Sequence, residues 1–374
     1  MRGARSVLEG WRWQENQAKS AALAETASNN NATARTPGDL YPSAAILTRR
    51  GLLAAGLAGT LLGPSTPWLT QAHSRTSLIL LWMDGGASHL DTFDPKPEAP
   101  PDFRGPFRAL RTNVPGLYFC EHLPRLAAMA DRLAILRGVS HAETRHQRAR
   151  NLLMNACLPP AWLNSLRKQE AANPASRPDG LCAATGSSAE ISSLNPTRDL
   201  ARQSDCLTFQ SACEMAFHQV AAGSPLVIVS MHGWDTHVDA FQRLKSHLLP
   251  ELDQAFSSLL RNLERSGMLA STLVAWVGEF GRTPQINRWP APGRDHWSNA
   301  MCVVLAGAGI QGGTVVGATD KLGIAAVDRP IHIEELGATM QEVLGVAHPA
   351  TRRAAPPRGA YGCPGVPLRQ VLKR

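Results

Sequence analysis

Cysteine pairs, catalytic signature motifs and basic stripes are what this chain lacks. Its seven cysteines, Cys120, Cys157, Cys182, Cys206, Cys213, Cys302 and Cys363, include no Cys-x-x-Cys pair. That excludes a zinc ribbon or a thioredoxin-like motif and argues against a dense disulfide framework. The odd count leaves at least one thiol unpaired, and a bridge such as Cys206 to Cys213 stays open. There is no Gly-x-Ser-x-Gly, no P-loop and no His-Glu-x-x-His, so nothing points to a hydrolase elbow, a nucleotide-phosphate cradle or a zincin. Charged residues make up only 18% of the chain, and its 38 Lys and Arg against 30 Asp and Glu are scattered, as at Arg145, Arg148 and Arg150. With no Lys/Arg stripe interleaved with aromatics, nucleic acid is not an expected partner. A scattered net charge of +8 serves solubility or suits an anionic substrate.

What is present is enough to bury a full core: 374 residues, 44% of them hydrophobic, fit one large domain or two small ones. Residues 1–75 read as an N-terminal extension. Within it Thr48-Arg49-Arg50-Gly51-Leu52-Leu53 opens a Gly/Ala-rich apolar run to Gly63, followed by Pro64, Pro67 and Thr70-Gln71-Ala72. This is the layout of a twin-arginine export signal, and it predicts a periplasmic or extracellular protein. The run is shorter than the roughly twenty residues that span a bilayer, so no transmembrane span is expected in the mature protein. Residues 1–47 precede the signal, which implies a long n-region or translation from downstream of Met1.

In the mature chain, Ser77–Met83 (SLILLWM) predicts a buried strand closing in a Gly85-Gly86 turn. Residues 94–118, with six prolines, predict an extended excursion without regular helix. His122–Leu133 has helical spacing, Ala134–Leu136 starts a short strand, and Asn151–Cys157 is helical again. Residues 159–210 show no sustained period and read as a poorly defined connection. From Pro225 the pattern sharpens into strand, helix and strand. Leu244, Leu248, Leu252, Phe256, Leu259 and Leu263 give the helical stripe, with a break expected at Pro250, and Thr272–Val277 and Met301–Ala306 are the next strands. Residues 351–374 are Pro/Gly-rich and are expected to lie over the surface.

The chemistry gathers where strands end. Open α/β sheets bind ligands at the carboxyl ends of their strands. Here PLVIVSMHGWDTH (225–237), STLVAWVGEFGRT (271–283) and GRDHW (293–297) place Asp235, His237, Glu279, Asp295 and His296 in such positions, with Asp84 after the first strand. Asp, Glu and neutral His are ligands for zinc or a harder divalent ion. Each has a plainer reading beside it. Asp84 could cap a turn, Glu279 could pair with Arg282 to brace its loop, and His232 could be structural. His141 and His146 flank Arg145 where a loop turns into a helix, a natural anion site with Arg148 at hand.

The runs LWMDGGASHLDTFDPKP (81–97), EHLPRLA (121–127), GWDTH (233–237), GEFGRTP (278–284) and GRDHWSNAMCVVLAGAGIQGG (293–313) resemble the secreted bacterial family called domain of unknown function 1501. That family is similar to the alkaline phosphatase and sulfatase superfamily. The resemblance spans residues 76–157 and 224–346. It implies an α/β, alkaline-phosphatase-like fold over residues 76–350, with a largely parallel central sheet and helices on both faces. It also implies metal ligation by Asp84, Asp235, His237, Glu279 and His296, with Asp295 beside them, by zinc, calcium, magnesium or manganese. His146 stands where the superfamily's nucleophile is expected to be Ser, Thr or a modified Cys, and Glu279-Phe280 keeps a carboxylate where an Asp-His pair is expected. The first expectation is a sulfatase- or phosphatase-like hydrolase in which Arg145 or Arg148 neutralises the anion and His146 ligates metal or acts as nucleophile or base. The second is an exported protein without turnover that binds an anionic small molecule, a sulfated or phosphorylated glycan, or an envelope partner. The third is a structural envelope protein whose Asp and His residues satisfy turns.

Overall fold

The computed structural model describes residues 76–172, 189–193, 207–346 and 365–373. The expected signal, Cys182, Cys206 and Cys363 lie outside them. The first strand, β1 (Ser77–Met83), sits at the centre of an eight-stranded sheet. Its uninterrupted apolar run is needed because both of its faces are covered. Ile79, Leu81 and Met83 enter one core and Leu78, Leu80 and Trp82 the other, the two-residue alternation of a strand. Next come β2 (Leu133–Ser140), helix α1 (His146–Cys157), helix α2 (Pro160–Ala172), the edge strand β3 (Ala189–Ser193) and helix α3 (Phe209–Ala221). The second half supplies β4 (Leu226–Met231), α4 (Leu249–Arg265), β5 (Thr272–Gly278), β6 (Met301–Ala306), β7 (Thr314–Val316), β8 (Ile331–His332) and α5 (Ile333–Val343).

In space the order is β7-β2-β6-β5-β1-β4-β3, with β8 also on β2. Strands β1, β4 and β5 are parallel neighbours, as are β7 and β8 with β2, whereas β6 is antiparallel to both β5 and β2, and β3 is antiparallel to β4. Helices α3 and α4 cover one face; α1 and α5 cover the other. The chain is thus α/β with a largely parallel sheet between helical layers. The reversal of β6 has a local cause. No helix intervenes after β5, and only a parallel neighbour requires a long crossover.

Several expectations change. The 122–133 stripe is not one helix but a short turn at Pro124–Ala127 and a 3-10 turn at Ala130–Arg132. The Asp253 carboxylate from α4 accepts the N–H groups of Arg125 and Leu126 at 3.0 and 2.8 Å, capping the first turn from outside. The break near Pro250 takes the form of a π-type stretch over Leu244–Leu248, after which α4 starts with Pro250 in its first turn, where a missing N–H costs nothing. Residues 94–118 contribute a short helix, Pro101–Arg104, and a strand, Ala109–Arg111, paired with Tyr118–Cys120. Helix α2 and strand β3 supply structure within 159–210. The end of the tail is not a surface strap: Leu368 and Val371 are fully buried, and the Leu368 N–H donates to the Thr339 hydroxyl at 2.8 Å. Cys120, Cys157, Cys213 and Cys302 are free, buried thiols. Burial pushes the Cys120 and Cys157 thiols up to about 12, which leaves them inert.

Candidate metal centre

The sheet topology explains why residues so distant in sequence meet. Strands β1, β2, β4 and β5 run the same way, so Asp84, His141, His232 and Glu279 follow at one edge. Strand β6 runs the other way, so the residues before it, Asp295 and His296, arrive at that same edge. Residues 281–282 and 296–297 pair as short antiparallel strands and hold the approach in register.

Gly85 makes the edge compact. Its φ is +104°, and a Cβ there would lie 2.4 Å from the Asp235 nitrogen, so only glycine lets the turn after β1 press against the turn after β4. The backbone approaches Asp235 and Arg282 rather than a ligand. Arg282, fully buried, donates to the carbonyls of Gly85, Gly86 and Arg294 and to Asp235 Oδ1 at 2.5 Å.

Around Asp235 stand three imidazoles. His237 Nε2 lies 3.0 Å and His296 Nε2 3.2 Å from Oδ1, and His146 Nε2 lies 3.5 Å from Oδ2. The two nitrogens of His237 and His296 are 3.0 Å apart. Each ring is fixed from behind through Nδ1. His146 donates to Glu279 at 2.5 Å, His237 to Asp295 at 2.6 Å, and His296 to the Thr144 carbonyl at 2.8 Å. Asn287 adds a hydrogen bond to Asp295 at 3.2 Å and one to the His237 carbonyl at 3.1 Å. With Nδ1–H committed, every neutral ring turns a lone pair inward, toward a carboxylate that also only accepts. Facing acceptors at these separations need a cation or protons between them.

Protonation shows the same demand. Burial disfavours charge on His146, but the Asp235 and Glu279 carboxylates outweigh it and raise its pKa to about 10. Burial likewise opposes, and Asp235 and Asp295 overcome it, at His237, whose pKa is raised. At His296 burial prevails over Asp235 and lowers the pKa to about 4. Burial would raise Asp235, yet the three histidines and Arg282 hold it far below the usual carboxylate range. His146 thus favours its protonated form near neutral pH, His237 is shifted in the same direction, and His296 is shifted toward accepting.

A divalent cation could take the place of protons between these acceptors. Nitrogen and oxygen ligands about 2 Å from one tetrahedral ion lie roughly 3.3 Å apart, close to the separations seen. His146, Asp235 and His296 have ligand atoms within 4.8 Å of one another, and His237 adjoins two of them. The donor set therefore fits a metal ion.

Other expected residues stand elsewhere. Glu279 and Asp295 meet the cluster as partners of His146 and His237. Asp84 accepts from His232 Nδ1 at 2.8 Å and lies 3.6 Å from Arg150, so its carboxylate is committed to those groups. Burial would raise its pKa, and His232 more than offsets this, leaving it lowered. Arg145 and Arg148 are 67% and 63% exposed and face Glu143 at 3.9 Å. Four residues along α1 from His146, and so on the same face, it is Arg150 that reaches the strand ends. Glu279 pairs with His146 and Arg282 with Asp235, so the Glu279–Arg282 brace is not formed. His141 donates through Nε2 to the Glu279 carbonyl at 2.7 Å and supports the loop. Sequence reasoning also missed Asp91, whose buried carboxylate takes Arg294 at 2.7 Å and so anchors the segment that carries Asp295 and His296. Its one signal is a carboxylate set within a segment otherwise buried throughout.

The family described as "Protein of unknown function (DUF1501)" matches residues 75–161 and 164–355. No curated protein matches the chain. Among solved structures there is similarity to the phosphonate monoester hydrolase SpPMH from Silicibacter pomeroyi, at 15% identity over 35% of this chain and 22% of that one, with a TM-score of 0.22. This chain thus spans about a fifth of that hydrolase. The PsFucS1 sulfatase from Pseudoalteromonas sp. is 12% identical over 73% of this chain and 68% of its own, with a TM-score of 0.29. Ps i-CgsB is 10% identical over 73% and 72%, with a TM-score of 0.37. Among the described residues no helix is long and apolar enough to cross a membrane.

Proposed function

This chain belongs to the DUF1501 family of unknown function, and from that premise we propose that it is an exported hydrolase of sulfate or phosphate esters that depends on a divalent metal. The observation that carries the reading is the set of three imidazoles, each fixed through Nδ1, whose inner nitrogens surround one carboxylate. His146, Asp235, His237 and His296 would hold the ion. Three nitrogens and one oxygen favour zinc over calcium, magnesium and manganese, which suit oxygen-rich sites. A bound ion would polarise an ester oxygen and activate water.

The chain's own residues do the rest. Glu279, Asp295 and the Thr144 carbonyl fix the tautomers of the three rings, so that their lone pairs are ready without reorganisation. Arg282 balances Asp235 and keeps it ionised in a half-buried setting. Helix α1 starts at His146 without a side-chain cap, so its N-terminal dipole favours an anionic ester group. Both nitrogens of His146 face carboxylates, Glu279 and Asp235, which supports a ligand role over that of nucleophile. Arg145 and Arg148, turned to Glu143, are left out of the site. The twin-arginine pattern at Thr48–Leu53 supports export.

Reconstitution with zinc or manganese should give one equivalent of bound metal and turnover of some member of a panel of aryl sulfates and phosphates. Substoichiometric metal would overturn the reading. One observation favours a second one, a binding protein without turnover. Among the described residues no Ser or Thr hydroxyl and no Cys thiol is hydrogen-bonded to His146, Asp235, His237 or His296. Full metal occupancy with anion binding but no product would decide for it.

A further inference from the structure

Trp289 is 87% exposed, more than any other large hydrophobic residue among those described. Leaving so large a ring in water forgoes the burial that normally fixes a tryptophan. Its position argues against chance. Asn287 and Gly293 exchange backbone hydrogen bonds at 3.0 and 3.1 Å, closing a short loop with Trp289 near its tip. Both ends of the loop touch the metal centre. The Asn287 side chain bonds Asp295 and the His237 carbonyl. Gly293 packs so tightly on that carbonyl that a Cβ would lie 1.9 Å from it. Two residues of chain from Asn287 allow at most about 7 Å to the Trp289 backbone, so the indole is carried within one or two sugar rings of His237.

The loop is also stiff. Pro290 and Pro292 restrict its backbone, the Ile286 N–H donates to the Asp102 carbonyl at 2.8 Å, and Arg288 pairs with the Asp102 side chain. Val238, next to His237 and 39% exposed, adds a second apolar surface on the same rim. An exposed aromatic plane on a braced loop whose ends adjoin His237 and Asp295 suits one ligand chemistry. That ligand is a pyranose ring, whose C–H face is apolar, bearing a sulfate or phosphate ester.

We propose that Trp289 is a stacking platform for a sugar ring of the substrate, making the site selective for sugar sulfates or phosphates over simple alkyl esters. The selectivity rests on the ester-hydrolase reading above; the platform itself does not. The test titrates the zinc-loaded protein and its Trp289→Ala and Trp289→Phe variants with sulfated and phosphorylated methyl hexosides, using methyl sulfate and methyl phosphate as ringless controls. The expected result is a hexoside affinity that falls about tenfold in Trp289→Ala and is largely kept in Trp289→Phe. Melting temperature and zinc affinity report whether the variants are folded. Unchanged hexoside affinity in Trp289→Ala overturns the proposal, as does a wild type that shows no preference for hexosides over the ringless esters. If the wild type takes up no zinc but still loses hexoside affinity on Trp289→Ala, the metal reading fails and the platform stands.

Discussion

Asp235→Asn is the sharpest perturbation of the centre because it keeps volume and removes one charge from the point where four groups meet. In the metal-free protein the change strips Arg282, fully buried, of its carboxylate partner. Breaking a buried ion pair costs about 3–5 kcal/mol. Arg282 keeps three carbonyl acceptors and the Asp235 side chain is 39% exposed, which reduces the expected loss to about 1–2 kcal/mol. For a domain of this size that lowers the melting temperature by roughly 2–4 °C. The larger effect concerns metal. At a zinc concentration about a hundred times its Kd, the wild type gains ~2.7 kcal/mol, an upward shift of roughly 5 °C. Losing one of four ligands should weaken binding at least about a hundredfold, so the variant at the same zinc concentration gains no more than ~0.4 kcal/mol. Thermal unfolding followed by circular dichroism, in chelator and in stepped zinc or manganese, reads both numbers. A variant that zinc stabilises as much as the wild type refutes the assignment of Asp235, and a wild type indifferent to every divalent ion tried refutes the metal centre.

Glu279→Gln should leave the fold intact while weakening metal binding about 10–100-fold, because it replaces the charged acceptor that orients His146 and raises its basicity with a neutral amide; isothermal titration with an unchanged dissociation constant would contradict that role. Metal uptake near neutral pH should release at least about one proton, from His146, measurable by calorimetry in buffers of different ionisation enthalpy, and affinity should rise with pH toward about 10, the pKa of His146. In chelator the raised pKa of His146 contributes stability that is complete below 6.5 and lost as pH rises through about 10. The lowered pKa of His296 does the reverse, with stability lost as pH falls from 6.5 toward about 4, so unfolding free energy should fall away at both ends, and a profile rising or falling steadily from end to end would be inconsistent with these groups. Asp91→Ala should cost about 2–4 kcal/mol by breaking the buried ion pair with Arg294, which keeps its carbonyl acceptors, and in urea titrations a loss below about 1 kcal/mol would show that this pair does not anchor the Asp295–His296 segment.

The strands were legible because their signal is local. A run such as SLILLWM has no polar residue with which to face water, so it must be buried on both sides, and a polar residue directly after it must lie at a sheet edge. The stripe of α4 was legible for a similar reason, since spacing of three and four residues puts Leu252, Phe256, Leu259 and Leu263 on one side. The 122–133 stripe shows the limit. Its spacing was helical, yet an Asp253 carboxylate from another helix took the N–H groups that set where the turn begins. Likewise Leu368 and Val371 end a Pro/Gly-rich tail whose composition suggested a surface path, and the hydroxyl of Thr339 and the core beneath it decided otherwise.

What the sequence by itself determined is position along the chain: Asp84, Asp235, His237, Glu279, Asp295 and His296 near strand termini, and His146 at a helix start. These follow from burial patterns a few residues long. Who partners whom was decided only by tertiary structure. The reversal of β6 brings Asp295 and His296 to the edge where β4 and β5 end, the face of α1 selects Arg150 over Arg145 and Arg148, and the Gly85 turn delivers Arg282 to Asp235 rather than to Glu279. Periodicity fixes which side of its own element a residue occupies. The distance between two loops depends instead on strand order and direction, which no single segment encodes.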